Sequence, residues 1–189
     1  ATPMSLVAGG DLARWLVGTS QSQLLICKLQ DYGTENIVEA RSLKPKGNEE
    51  VAGGNNKSAN REMIVTSITI TNHDWWTVAG KYSGSGTGGF VATWHGPSRS
   101  MVAFCETRES VQALAVHHQE LYSVANEGVV SVWNSPYQLQ RTHRIWTSPP
   151  SIKAIAINHH HKNNLVAAAG IGPKVDILQD NCRVQTLEL

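Results

Sequence analysis

Imidazole is the most concentrated reactive group in this chain of 189 residues, at His117-His118 and again at His159-His160-His161. The two clusters begin 42 residues apart, at matching positions of a repeat described below, and imidazole nitrogen is a good ligand for transition metals. Successive side chains on extended backbone point to opposite faces, so three consecutive histidines do not converge on one ion in regular geometry. No Asp, Glu or Cys stands at ligand spacing beside them. The clusters imply adventitious affinity for nickel or zinc, and no metal or other cofactor is expected.

Gly84-Ser85-Gly86-Thr87-Gly88-Gly89 has the composition of a phosphate-binding loop without its mechanics. Such a loop opens a helix and usually carries Lys followed by Ser or Thr. Here Phe90-Val91-Ala92-Thr93-Trp94 reads as a strand, so the segment is a flexible turn. No Ser occupies a nucleophile-elbow spelling. Cys105, near Arg108, reads as a half-buried structural thiol on an outer strand. No catalytic residue is assigned, and the chain is read as a non-enzyme. The best local basic and aromatic cluster is Arg141, His143, Arg144 and Trp146, whose charge and stacking surface suit contact with RNA or with an acidic partner surface.

The elements that must position these groups repeat. Ile68-Thr69-Ile70, Leu114-Ala115-Val116 and Ile155-Ala156-Ile157 are triplets 46 and 41 residues apart. Each is followed by a run of small residues (Thr77 to Gly80, Ser123 to Asn126, Ala167 to Gly170) and then by a short apolar strand (Val91 to Trp94, Val130 to Trp133, Val175 to Leu178). A period in the forties with several strands per unit is the signature of a β-propeller. The innermost strand of each blade packs on both sides, and Gln112 to Val116 and Lys153 to Ile157 fit with one large apolar face and one face mostly of alanine. Turns follow at Asn126-Glu127-Gly128 and at Gly170-Ile171-Gly172-Pro173. Outer strands are expected at Ser100 to Glu106, Arg141 to Thr147 and Cys182 to Leu189, and Trp94 and Trp133 are expected to wedge between blades.

The expectation is therefore an all-β, WD40-type β-propeller, partial or degenerate, with about four blades visible. Residues 63–189 make three blades, 40–62 a flexible loop or insertion, and 1–39 one or more partial N-terminal blades. Trp15 to Thr19 and Leu24 to Leu29 read as the inner pair of one such blade. Leu6-Val7-Ala8-Gly9-Gly10 spells a second strand only ten residues before Leu16-Val17-Gly18 spells it again, so either the first match is accidental or a piece is missing between them, and the second reading is favoured.

Composition narrows the function classes. At 41% hydrophobic and 16% charged, with a formal net charge of +1, the chain is globular and lacks the field of a bulk nucleic-acid binder. Cys27, Cys105 and Cys182 are odd in number and widely spaced, which reads as a reducing compartment. No apolar run reaches membrane-spanning length, so no membrane role is expected. The chain opens on Ala1 and is read as a fragment, a processed product or an incomplete gene model. Asn56-Lys57-Ser58 fits a glycosylation sequon but is not expected to be used.

From His73 onward the order of motifs resembles the C-terminal part of the THO complex subunit 6 family, propellers of the WD-repeat class. The residues concerned are Asp74-Trp75-Trp76, Ala92-Thr93-Trp94-His95, the stretch Val111 to Trp133 with its Asn126-Glu127-Gly128 turn, Ala167-Ala168-Ala169-Gly170 and Lys174-Val175-Asp176-Ile177. The turn after Gly80 is longer than the family's, and Trp133 and Trp94 are followed by Asn134 and His95 instead of Asp. The resemblance implies a non-enzymatic nuclear scaffold in mRNA processing and export, binding the other THO subunits, with mRNA reached indirectly and no cofactor. A ring lacking blades leaves a blade face uncovered, so self-association is expected. The alternatives are an adaptor of another complex, such as a ubiquitin-ligase substrate receptor, or an RNA-contacting propeller.

Overall fold

The computed structural model describes the backbone of residues 3–8, 14–19, 23–29 and 35–42, and then residues 62–188 apart from 73–74, 85–87, 96–97, 99, 118–119, 135–137, 148–150 and 159–164, with backbone alone at 72. His118, His159 to His161, Asp74, Asn56, most of the expected loop at 40–62 and the centre of the glycine-rich turn lie outside the described residues. Among the described residues no helix is long and apolar enough to cross a membrane.

Among the described residues, sixteen strands form four sheets of four. The first blade is β1 (Pro3–Ala8), β2 (Arg14–Thr19), β3 (Gln23–Leu29) and β4 (Glu35–Ser42); the second is β5 (Met63–Asn72), β6 (Trp75–Tyr82), β7 (Gly89–His95) and β8 (Ser100–Thr107). The third is β9 (Val111–His117), β10 (Glu120–Ala125), β11 (Val129–Trp133) and β12 (Arg141–Trp146); the fourth is β13 (Ile152–Asn158), β14 (Leu165–Gly170), β15 (Lys174–Gln179) and β16 (Cys182–Glu188). Every sheet is an antiparallel meander in chain order. Turn chemistry explains the tight connections: Gly128 takes φ 74° between β10 and β11, and Asp180 and Asn181 take φ 48° and 63° between β15 and β16, the left-handed pair that a two-residue hairpin needs.

The N-terminal sheet corrects the sequence reading. Val7 pairs with Leu16 and Ala8 with Trp15, so β1 and β2 are neighbours in one sheet with no strand between them. Trp15 to Thr19 and Leu24 to Leu29 belong to the middle pair of that sheet, and β1 is its first strand. Small apolar residues suit a first strand as well as a second one, because both are packed on two faces, so the spelling at Leu6 to Gly10 does not tell them apart. The sheet runs on to Ser42, past the expected boundary at residue 39.

First strands line up from blade to blade: β1 packs near β5, β5 near β9 and β9 near β13. The second and third blades meet through Ala79 and Val91 on one side and Val111, Leu114, Leu121 and Trp133 on the other. Tyr122, Val124, Val130 and Val132 of the third blade meet Ile152, Val166, Ala168 and Leu178 of the fourth. Trp133 is thus a wedge between blades, as the sequence implied. Trp94 packs with Val78, Phe90 and Ala92, on the face of the second sheet opposite Ala79 and Val91. Small residues set the spacing inside the sheet. A Cβ on Gly80 would fall 2.0 Å from Ile64 O and 2.9 Å from Phe90 Cε1.

Candidate interaction surfaces

The rim cluster is shaped by an irregularity in the outer strand. Trp133 pairs with Arg141 and Val132 with His143, so Thr142 is an extra residue, and its Oγ1 donates to Val132 O at 3.2 Å. An extra residue shifts the alternation of everything beyond it. Arg141, opposite Trp133, and Arg144, opposite Ser131, therefore share the face turned to the second blade, and Trp146, opposite Val129, joins them. His143, opposite Val132, lies on the other face with Ile145.

Both arginines are engaged within the protein. Arg141 Nη1 donates to Glu109 Oε2 at 3.3 Å, and Arg144 Nη2 lies 2.5 Å from Oε1 of the same carboxylate as an ion pair without hydrogen-bond alignment. Glu109 sits in the connection from β8 to β9, where Thr107 Oγ1 donates to its carbonyl at 2.7 Å, and its side chain is 6% exposed. The guanidinium of Arg141 also stands 5.7 Å from the Trp133 ring centroid and that of Arg144 4.6 Å from that of Trp146. Arg141, Arg144 and Trp146 come together and His143 does not. Trp146 remains outward, at 59% exposure. Glu109 escaped sequence reasoning because it is 32 residues from Arg141 and only blade packing joins them.

The blades also have side-chain ties that the departures from the Trp-Asp spelling left unannounced. Trp133 Nε1 donates to Ser123 Oγ at 2.8 Å, and both carboxylate oxygens of Glu127 accept from Ser110 N, at 3.2 and 3.1 Å. In the fourth blade Asp176 is wholly buried, accepting from Thr186 Oγ1 at 2.6 Å with Arg183 at 3.7 Å.

A second surface is the outer face of the fourth blade. Register places Ala154 and Ala156 of β13 beside Ala169 and Ala167 of β14, followed by Val175 and Ile177 of β15 and Leu187 of β16. Ala154 and Ala156 are exposed, Ala167, Ala169, Val175 and Ile177 half-buried, and Leu187 exposed. The opposite face of the same sheet, with Val166, Ala168 and Leu178, is buried against the third blade. No described residue covers the outer face, and β16 beyond it is exposed along its length.

His117 is 1% exposed at the end of β9, so it does not stand on an open rim. No group of His, Cys, Asp and Glu suited to a metal occurs among the described residues. Cys105 is half-buried; burial pushes its thiol up from the ordinary value, Arg141 pulls against this and Glu106 adds to it.

No family model matches the chain, and no curated protein does. Solved structures do: 831 chains share its architecture, among them hydrazine synthase of Kuenenia stuttgartiensis, with a TM-score of 0.72 at 8% identity over 99% of this chain and 49% of that one. The fold is that of β-propeller blades. The chain spans about half the length of the solved chain it resembles, and so distant a likeness carries architecture without activity.

Proposed function

We propose that the chain is a non-enzymatic interaction platform, a WD-type propeller subunit of the THO complex acting in the nucleus in mRNA processing and export. The observation that supports the platform reading is the apolar outer face of the fourth blade, which no described residue covers. Its counterpart on the third blade, Tyr122, Val124, Val130 and Val132, is buried by the next sheet. An apolar sheet face of this kind suits packing by another surface, a further blade or a partner. The order of motifs from Asp74-Trp75-Trp76 to Lys174-Val175-Asp176-Ile177 favours the THO assignment, with other THO subunits as partners and mRNA reached through them. In isolation the same face promotes self-association.

An RNA-contacting propeller is the second reading, favoured by the exposed Trp146 beneath Arg144. The ion pairs of Arg141 and Arg144 with Glu109 weigh against it, since that carboxylate offsets one of the two positive charges that phosphate would meet. Affinity capture of the tagged chain from nuclear extract, with and without ribonuclease, separates the two. Ribonuclease-resistant recovery of THO subunits supports the platform; recovery that ribonuclease abolishes supports RNA contact. Recovery of neither removes the THO assignment.

A further inference from the structure

A cavity of about 350 Å³ opens where three blades bring the same end together. Met63 pairs with Tyr82 and Val111 with Ala125, so the starts of β5 and β9 lie beside the turns that close β6 and β10, and the start of β13 joins them. Each blade contributes polar groups to the mouth: Lys81 and Ser83 from the second, Ser110, Gln112 and Asn126 from the third, Lys153 from the fourth.

The lining of this mouth carries charge of one sign, with the carboxylates of Glu106 and Glu127 set behind Tyr82 and Ser110. Two lysines line the cavity and no acidic residue does, among the described residues. The nearby Glu127 has both oxygens on Ser110 N. Lys153 Nζ donates to Asn126 Oδ1 at 2.8 Å, which Ser151 Oγ also approaches at 2.6 Å, and an ammonium has two further N–H groups to give. The ammonium of Lys81 has no ion-pair or hydrogen-bond partner among the described residues. The aromatic in the lining does not offer a stacking platform for a base. Tyr82 directs its hydroxyl to Glu106 Oε1 at 3.2 Å and packs its ring against Phe90, centroids 6.0 Å apart.

We infer that this cavity receives an acidic peptide segment, seating one carboxylate or phosphate side chain by Lys81 and Lys153 while Ser83 and Gln112 offer hydrogen bonds to the peptide beside it. The inference is independent of the THO assignment, because it rests on the cavity alone. An anion there replaces water around two ammonium groups with charge-assisted bonds, and three blades fix its position. The carboxylate and the phosphate are two sources of one chemistry.

The test is fluorescence anisotropy of the full chain with two labelled ten-residue peptides, one with a central run of glutamates and one with a central phosphoserine. Saturable binding of at least one is expected, and the tighter peptide identifies the anion. Lys81→Gln combined with Lys153→Gln should weaken it about tenfold or more, the equivalent of losing one charge-assisted hydrogen bond. Lys81→Arg with Lys153→Arg should retain it, and Lys174→Gln, outside the cavity, should leave it unchanged. Binding by neither peptide overturns the inference, as does an equal loss with Lys174→Gln or no recovery with the arginine pair. Tighter binding of oligouridine through the same two lysines would assign the cavity to nucleic acid and also overturn it.

Discussion

Trp133 Nε1 donates a 2.8 Å hydrogen bond to Ser123 Oγ, with both side chains buried at the seam between the second and third blades. The indole brings a large apolar surface to the seam and one polar atom that has to be matched there. Ser123→Ala leaves that N–H without its acceptor and should cost about 1–3 kcal/mol. Urea unfolding checks it through a lower midpoint at unchanged slope; an unaltered midpoint would show that the bond contributes nothing.

Glu109 holds two arginines at once, and Thr107 fixes its backbone. Because the arginine side chains are 34% and 40% exposed, solvent screens part of each pair, and Glu109→Ala should cost about 2 kcal/mol in total. Repeating the unfolding in 1 M salt should shrink the difference between variant and parent, since screening already weakens the pairs in the parent. If the arginines serve a partner instead, Glu109→Ala leaves stability unchanged.

Ala167 and Ala168 are neighbours on β14 that face opposite ways. Ala168 is fully buried against the third blade, so Ala168→Glu should cost about 4 kcal/mol or more by burying an unpaired charge. Ala167→Glu lies on the uncovered face and should change stability by only about 0.5 kcal/mol. It should also lower the apparent mass seen by light scattering if copies of the chain associate through that face. Equal destabilisation by the two substitutions would mean that the outer face is covered.

Burial raises the Cys105 thiol above its ordinary value, with Arg141 opposing and Glu106 reinforcing. A thiol raised on folding is held protonated, so its contribution to stability is complete below the unfolded-state value and is lost as pH climbs through the folded one. Iodoacetamide should alkylate the exposed Cys182 before Cys105, as read by mass spectrometry at pH 8. Arg141→Ala removes the opposing charge and should slow Cys105 further; faster labelling would reverse the assigned sign.

Much of the blade pattern was legible because it is local. The triplets, the small-residue runs and the outer strands are each spelled within a few residues, and β8, β12 and β16 begin at Ser100, Arg141 and Cys182 as the sequence implied, although β16 is exposed along its length instead of alternating. The first blade was misread because Leu6 to Ala8 carries a spelling that two kinds of doubly packed strand share. The rim cluster was half legible: composition picked out Arg141, His143, Arg144 and Trp146, but one extra residue at Thr142 decides which of them share a face.

By itself, then, the sequence determined the strand repeat, the turns and the large and small faces, because side-chain size and backbone conformational preference act over a few residues. Tertiary structure alone decided that Glu109 pairs with both Arg141 and Arg144, that Trp133 finds Ser123 at a blade seam, that Lys81 and Lys153 open on one cavity, and that no described residue covers the apolar outer face of the fourth blade. Those relationships join residues from different strands or different blades. They come into being only when the sheets stack and desolvation brings charges and polar atoms within reach of partners that chain order keeps apart.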